Sequence, residues 1–241
     1  MAKKSFLTAL FIIMAVLGVE AQTNKVYKAD TVIDGNGNKI ITVYSRGSFA
    51  EGNGNVVTRD IDVAAFKEIS MILPATVNYK VADDYSCRVT LDENLFEWVD
   101  IYLKGDCLRV EMVKTFQQSD VKPTKFLIEL TAPTLEEISV VGSGDFNFVT
   151  PFEAKELNIK LTGSGDVIIK DGKVKKANLS VAGSGSVEAR CQMESMDYSV
   201  AGTGSISYPG DVKAVGTVVG GKINKIWGTE NNKKKSCDEK P

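Results

Sequence analysis

Two aspartates hold matching places in a repeated motif, and such a carboxylate pair is the first constellation in this chain that could do chemistry. Asp145 follows Gly142-Ser143-Gly144, and Asp166 follows Gly163-Ser164-Gly165. Held a few ångströms apart, they could bind calcium or share acid and base roles in glycoside hydrolysis. The plainer role is turn capping. The next two copies, Gly183-Ser184-Gly185-Ser186 and Gly202-Thr203-Gly204-Ser205, put serine in that column, so an uncharged cap is tolerated there. The period is also unlike that of nine-residue calcium-binding repeats. Ser143, Ser164 and Ser184 sit between glycines, but a nucleophile elbow needs Gly-x-Ser-x-Gly and a histidine partner. The chain contains no histidine. That removes serine triads, Cys-His pairs and histidine metal sites together. No catalytic residue, metal site or cofactor is expected.

The cysteines, Cys87, Cys107, Cys191 and Cys237, show no metal or redox spacing. Four cysteines in an exported chain allow three disulfide connectivities. The 20-residue interval between Cys87 and Cys107 would put them on adjacent coils, within bridging reach, if the repeat extended that far. Free buried thiols are the alternative.

The elements that carry these residues follow from the repeat. The four Gly-x-Gly copies are spaced by 21, 20 and 19 residues, and a decayed fifth lies at Gly220-Gly221. Apolar residues recur two and four before the first glycine (Val140, Leu161, Val181, Val200; Ile138, Ile159, Leu179, Tyr198) and four and six after it (Phe146, Val167, Val187, Ile206; Phe148, Ile169, Ala189, Tyr208). Each unit is thus a strand, a sharp glycine corner and a second strand, with alternate residues inward. A third short element carries Leu135, Val174, Met193 or Val212. Units of this length stack into a solenoid, because one coil alone cannot bury its inner face. The fold expected is all-β: a single-stranded right-handed β-helix with coils of about 20 residues and three short strands. The corner glycines Gly142, Gly144, Gly163, Gly165, Gly183, Gly185, Gly202 and Gly204 are its structural signature.

Organisation around the repeat is read as follows. Residues 1–21 form a signal peptide, with Lys3 and Lys4 before an apolar Leu7–Leu17 and cleavage expected before Gln22. Residues 22–57 form a polar arm rich in Gly and Asn, in which Ile40, Ile41, Val43 and Tyr44 could make one strand. The solenoid occupies 58–228, with clear repeats over 135–226. Residues 229–241 make a disordered tail. Period-two alternation runs through the first half, except at Asp92–Val99. There Asp92 could cap a helical turn whose Leu95 and Val99 share a face. Net charge is −2 with a pI near 5.4, which offers no basic field for nucleic acid. No transmembrane span is expected after signal cleavage.

The stretch Gly52-Asn53-Gly54-Asn55-Val56-Val57-Thr58-Arg59, then Phe66-Lys67-Glu68-Ile69, then the Gly-Ser-Gly-Asp repeats, resembles the head GIN domain family of autotransporter adhesins over about residues 52–228. The resemblance implies an exported β-helix of the Bacteroidetes cell envelope and assigns no catalytic residue. No translocator barrel is read in these residues, so the word autotransporter is not taken literally.

The outward columns give the candidate interaction face. Ser139, Lys160, Ser180, Ser199 and Thr217 stand three before the glycine, flanked by Val141, Thr162, Ala182, Ala201 and Val219. A flat face of small residues with one charge invites association. The leading expectation is a non-enzymatic exported envelope or surface protein, in the periplasm or on the outer surface. It would act as an adhesin or binding module, with a glycan, a surface ligand or another copy as partner. The alternatives are a carbohydrate-active enzyme using Asp145 and Asp166, and a purely structural envelope component.

Overall fold

A computed structural model describes residues 27–33, 39–45, 49–113 and 120–226. The signal peptide, the tail and Cys237 lie outside the described residues. The chain forms two compact units, residues 1–48 and 49–241. In the first, β1 (Tyr27–Ile33) pairs antiparallel with β2 (Lys39–Ser45), Ala29 facing Val43. This part of the arm thus contributes two strands where its composition suggested one, and its last residues enter strands of the second unit. The second strand was missed because Lys28, Asp30 and Thr31 dilute its apolar alternation.

The second unit is a β-solenoid of about four turns, nearly all-β, its one described helix being a short 3-10 turn. Its early strands are β3 (Phe49–Glu51), β4 (Val56–Ile61), β5 (Glu68–Met71), β6 (Thr76–Val81), β7 (Ser86–Asp92), β8 (Val99–Lys104), β9 (Cys107–Met112), β10 (Asp120–Lys122) and β11 (Phe126–Ala132). The regular coils follow: β12 (Glu137–Gly142), β13 (Asp145–Phe148), β14 (Phe152–Gly163), β15 (Asp166–Ile169), β16 (Gly172–Gly183), β17 (Ser186–Ala189), β18 (Gln192–Gly202), β19 (Ser205–Pro209), β20 (Lys213–Val219) and β21 (Lys222–Ile226). Because β3 and β4 pair with β10 and β7, the Gly52-Asn53-Gly54 tripeptide lies inside this unit.

Two sheets enclose the core. One runs β20-β18-β16-β14-β12-β5-β9-β8, the other β21-β19-β17-β15-β13-β6-β11-β7-β4. From β12 onward every pairing is parallel, and equivalent residues of successive coils face one another, Val140 beside Leu161 and Leu161 beside Val181. The third short element of each coil runs into the first strand of the next as one long strand. Its pairing skips Lys155 beside Lys175. The inward columns are buried up to the last coils, where Val218 is exposed and Tyr198 and Val212 are half-buried, since a flat coil buries its inner face only against its neighbours.

The coils also taper, and they do so at one corner. Phe148, Ile169 and Ala189 are partners, as are Glu153, Lys173 and Gln192. Between them lie four residues (149–152), then three (170–172), then two (190–191). Over these three coils the core shrinks in step, from Phe148 to Ile169 to Ala189, all buried in one column, before Tyr208 refills it in the next coil. The wide end is filled by aromatics: Phe148 lies 4.8 Å from Phe152 and 5.3 Å from Tyr79, centroid to centroid. The Tyr79 hydroxyl donates to the Ala132 carbonyl (2.8 Å), so its one polar atom is satisfied.

The first half departs from the coil rule. After β5 and β6 the chain turns outward to β7 and β8, then returns to insert β9 beside β5 and β11 beside β6. β4, β7 and β8 pair antiparallel with their neighbours. Between β7 and β8, Glu93–Trp98 forms a 3-10 helix. With three residues per turn, Leu95 shares its buried face with Trp98, where the α-helical spacing had suggested Val99.

Candidate binding face and glycine corner

The corner is built from glycines for two separate physical reasons. Gly163 has φ +129°, in the region that side chains avoid, and a Cβ on it would land on the Gly142 carbonyl oxygen of the previous coil. Gly165 has ordinary φ but no room, because its Cβ would strike the Gly144 carbonyl oxygen. Both glycines are therefore needed where one coil sits on the next. Gly142, on the outermost such corner, has positive φ and open space beside it.

Asp145 and Asp166 stack one above the other at this corner. Asp145 Oδ1 accepts from the Asp166 backbone N–H (3.0 Å), and Asp166 Oδ1 accepts from the backbone N–H (3.0 Å) and hydroxyl (2.6 Å) of Ser186. Each carboxylate thus caps the coil above it, a local backbone role. No group of three or more His, Cys, Asp or Glu able to hold a metal occurs among the described residues. Ser143, Ser164, Ser184 and Thr203 crown the corner as an exposed hydroxyl ridge, with the Thr203 hydroxyl donating to Ser184 Oγ (3.1 Å).

The outward face of the sheet carrying β14, β16 and β18 divides lengthwise. On the side away from the corner, charges interlock. Lys176 Nζ lies 3.8 Å from Glu156 and 3.6 Å from Asp197, and Asn178 donates to Asn158 (2.6 Å) and Glu156 (2.9 Å). Toward the corner, Ser139, Lys160, Ser180, Ser199 and Thr217 fall in one register. Beside them run Val141, Thr162, Ala182, Ala201 and Val219 in another. Lys160, the one charge among these ten, is held by Glu137 (2.7 Å). The result is a strip of small side chains bordered by hydroxyls.

The cysteines do not bridge as the 20-residue interval suggested. Cys87, Cys107 and Cys191 are free thiols. Cys87 lies on β7, opposite Leu130, and Cys107 on β9, opposite Glu68, in different sheets. The outward excursion of the chain places them there, so the coil period does not apply. Burial pushes the Cys87 thiol up to about 12 and the Cys191 thiol up to about 11, which keeps both in the unreactive thiol form.

One buried charge escaped the sequence reading. Asp92 is fully buried, and its carboxylate accepts from the backbone N–H groups of Gly54 (2.9 Å) and Thr124 (2.7 Å). Burial alone would raise its pKa, but these bonds, with others from the Thr124 side chain and Lys125, hold it below the ordinary carboxylate value. It makes no side-chain cap to the 3-10 helix. A Cβ on Gly52 would occupy the Asp92 carboxyl group. Asn53 N–H donates to Asn94, Asn94 donates to the Glu51 carbonyl, and Asn55 donates to Glu93. The Gly-Asn-Gly-Asn stretch is thus a clasp folded around Asp92.

That clasp leads into the sequence covered by a family model. The model described as "putative auto-transporter adhesin, head GIN domain" matches residues 65–211, more than half of the chain. The chain belongs to the head GIN domain family. None of the curated proteins compared with it matches. Among solved structures, a "putative adhesin" from Bacteroides fragilis is 25% identical with a TM-score of 0.53, the match covering 73% of this chain and 99% of that one. A "putative adhesin" from Parabacteroides merdae is 19% identical with a TM-score of 0.51, covering 75% and 100%. Another from Parabacteroides distasonis is 17% identical, also at 0.51, covering 74% and 100%. The last two share the fold alone. In this head GIN protein the matched residues carry the Gly-x-Gly corners, and Gly52, Gly54 and Asn55 of the clasp lie before them in the chain.

Proposed function

We propose that this head GIN protein is a non-enzymatic, exported envelope or cell-surface binding module, and that it grips its ligand with the small-residue strip and adjoining hydroxyl ridge. The observation that carries this reading is the in-register ladder from Ser139 to Thr217, whose single cation is already neutralised. A flat strip of Ser, Ala and Thr leaves backbone and hydroxyl groups close to whatever lies on it, and pays little desolvation of charge on binding. Repeating hydroxyls at the strand spacing of about 4.8 Å match an extended glycan better than a compact ligand. The family description and the adhesin relatives support an adhesive role. No described helix is long and apolar enough to cross a membrane.

A glycan array probed with the mature protein tests the reading. Binding to a defined glycan class is expected, with at least tenfold loss in the double variant S180R/S199R and no loss in D145N/D166N. Undiminished binding by S180R/S199R would remove the strip from contention. Cleavage of an envelope polysaccharide that D145N abolishes would make the chain an enzyme.

A further inference from the structure

The solenoid ends differently on its two sides. β20 and β21 are the last strands of their sheets and have no outer neighbour among the described residues. Val218 belongs to the inward column of Val200 yet is 38% exposed. On the outward side Val215 is 70% and Val219 72% exposed. The Tyr198 ring lies against Gly216 and fills part of the end, but it pairs no backbone. An uncovered edge with apolar residues on it is a template for another strand.

We propose that this end is a homodimer interface, in which β20 and β21 each pair antiparallel with the same strand of a second copy about one two-fold axis. Residues 228–241 offer no inward column for another coil, because they contain no Val, Ile, Leu, Met, Phe, Tyr or Trp. A coil cannot be buried without inward apolar residues. A second copy brings a matching edge, and a two-fold closes the assembly at two.

The register follows from symmetry. The axis must pass through a residue on each strand, and Thr217 and Asn224 are each three residues from the Gly220-Gly221 corner. Centred there, Val215 faces Val219 of the second copy, twice, so the two most exposed valines cover each other. Thr217 meets its own copy, a favourable cross-strand pair. On the other sheet Lys222 faces Ile226 and Ile223 faces Lys225, so no like charges oppose.

This register makes a test by sign of charge. Light scattering on the eluting mature protein should give twice the chain mass. V215K/V219K sets lysine against lysine at both valine pairs and should give a folded monomer, with strand content by circular dichroism unchanged and only the thermal stabilisation that association supplies lost. V215K/V219E sets lysine against glutamate and should restore the dimer. In a C237S background, T217C should form a disulfide-linked dimer, because facing Cα atoms lie about 4.5–5.5 Å apart. S199C, one coil inward, should not. A monomeric mature protein, or a dimer indifferent to V215K/V219K, would overturn the proposal. The dimer should survive S180R, so failure here and failure of the glycan reading are separable.

Discussion

The two halves of the solenoid unit bury comparable apolar cores by different rules of neighbourhood. From β12 onward each residue's partner lies one coil away and points the same way, so one rule serves every position. Before β12, strands enter out of order, and β4, β7 and β8 run against their neighbours. Regular stacking constrains single atoms, as at the glycine corner. Irregular stacking relies on individual polar links, as at Asp92.

The largest effect expected is at the corner. G163A adds both an unfavourable φ and a Cβ collision with backbone, and the expected loss exceeds about 4 kcal/mol. G142A adds only the φ term, about 1–2 kcal/mol. Urea unfolding of both variants measures the difference, and equal losses would mean that stacking does not constrain the corner. In the irregular half, D92N should cost about 1–3 kcal/mol at neutral pH, since one buried backbone donor is left facing an amide. The Asp92 pKa is lower folded than unfolded, so its contribution is fully present above the unfolded value of about 3.9 and is lost as pH falls through the folded value. The gap between wild type and D92N should therefore close below about pH 4, and a gap constant down to pH 2 would contradict this account. The smallest effect belongs to D145A, an exposed cap with one backbone bond, at about 0.5–1 kcal/mol.

The same contrast explains what could be read from sequence. Phe146, Val167, Val187 and Ile206 form a visible column because their neighbours stand at near-constant separation. Asp145 and Asp166 could be placed on one another for the same reason. Asp92 could not, because its partners Gly54 and Thr124 are 38 and 32 residues away in opposite directions. No periodic signal joins them, and Asp92 read as a helix cap. Cys87 and Cys107 misled in the converse way: they share the coil interval in a segment that does not coil. The face residues were legible as columns, whereas the pairing of Lys160 with Glu137 needed the register between strands.

The shrinking corner also bears on how long such a column can be. Each of these turns gives up one residue at the same bend, from four to three to two, while the glycine side stays fixed until the last coil, where the Gly220-Gly221 corner is one residue shorter. A bend cannot shed residues indefinitely, although the column itself reopens in the next coil, where Tyr208 is buried. The number of turns that can follow this progression is therefore limited from within, by loop length. Copying one turn into the middle would break the progression, and the inserted turn would fit neither neighbour.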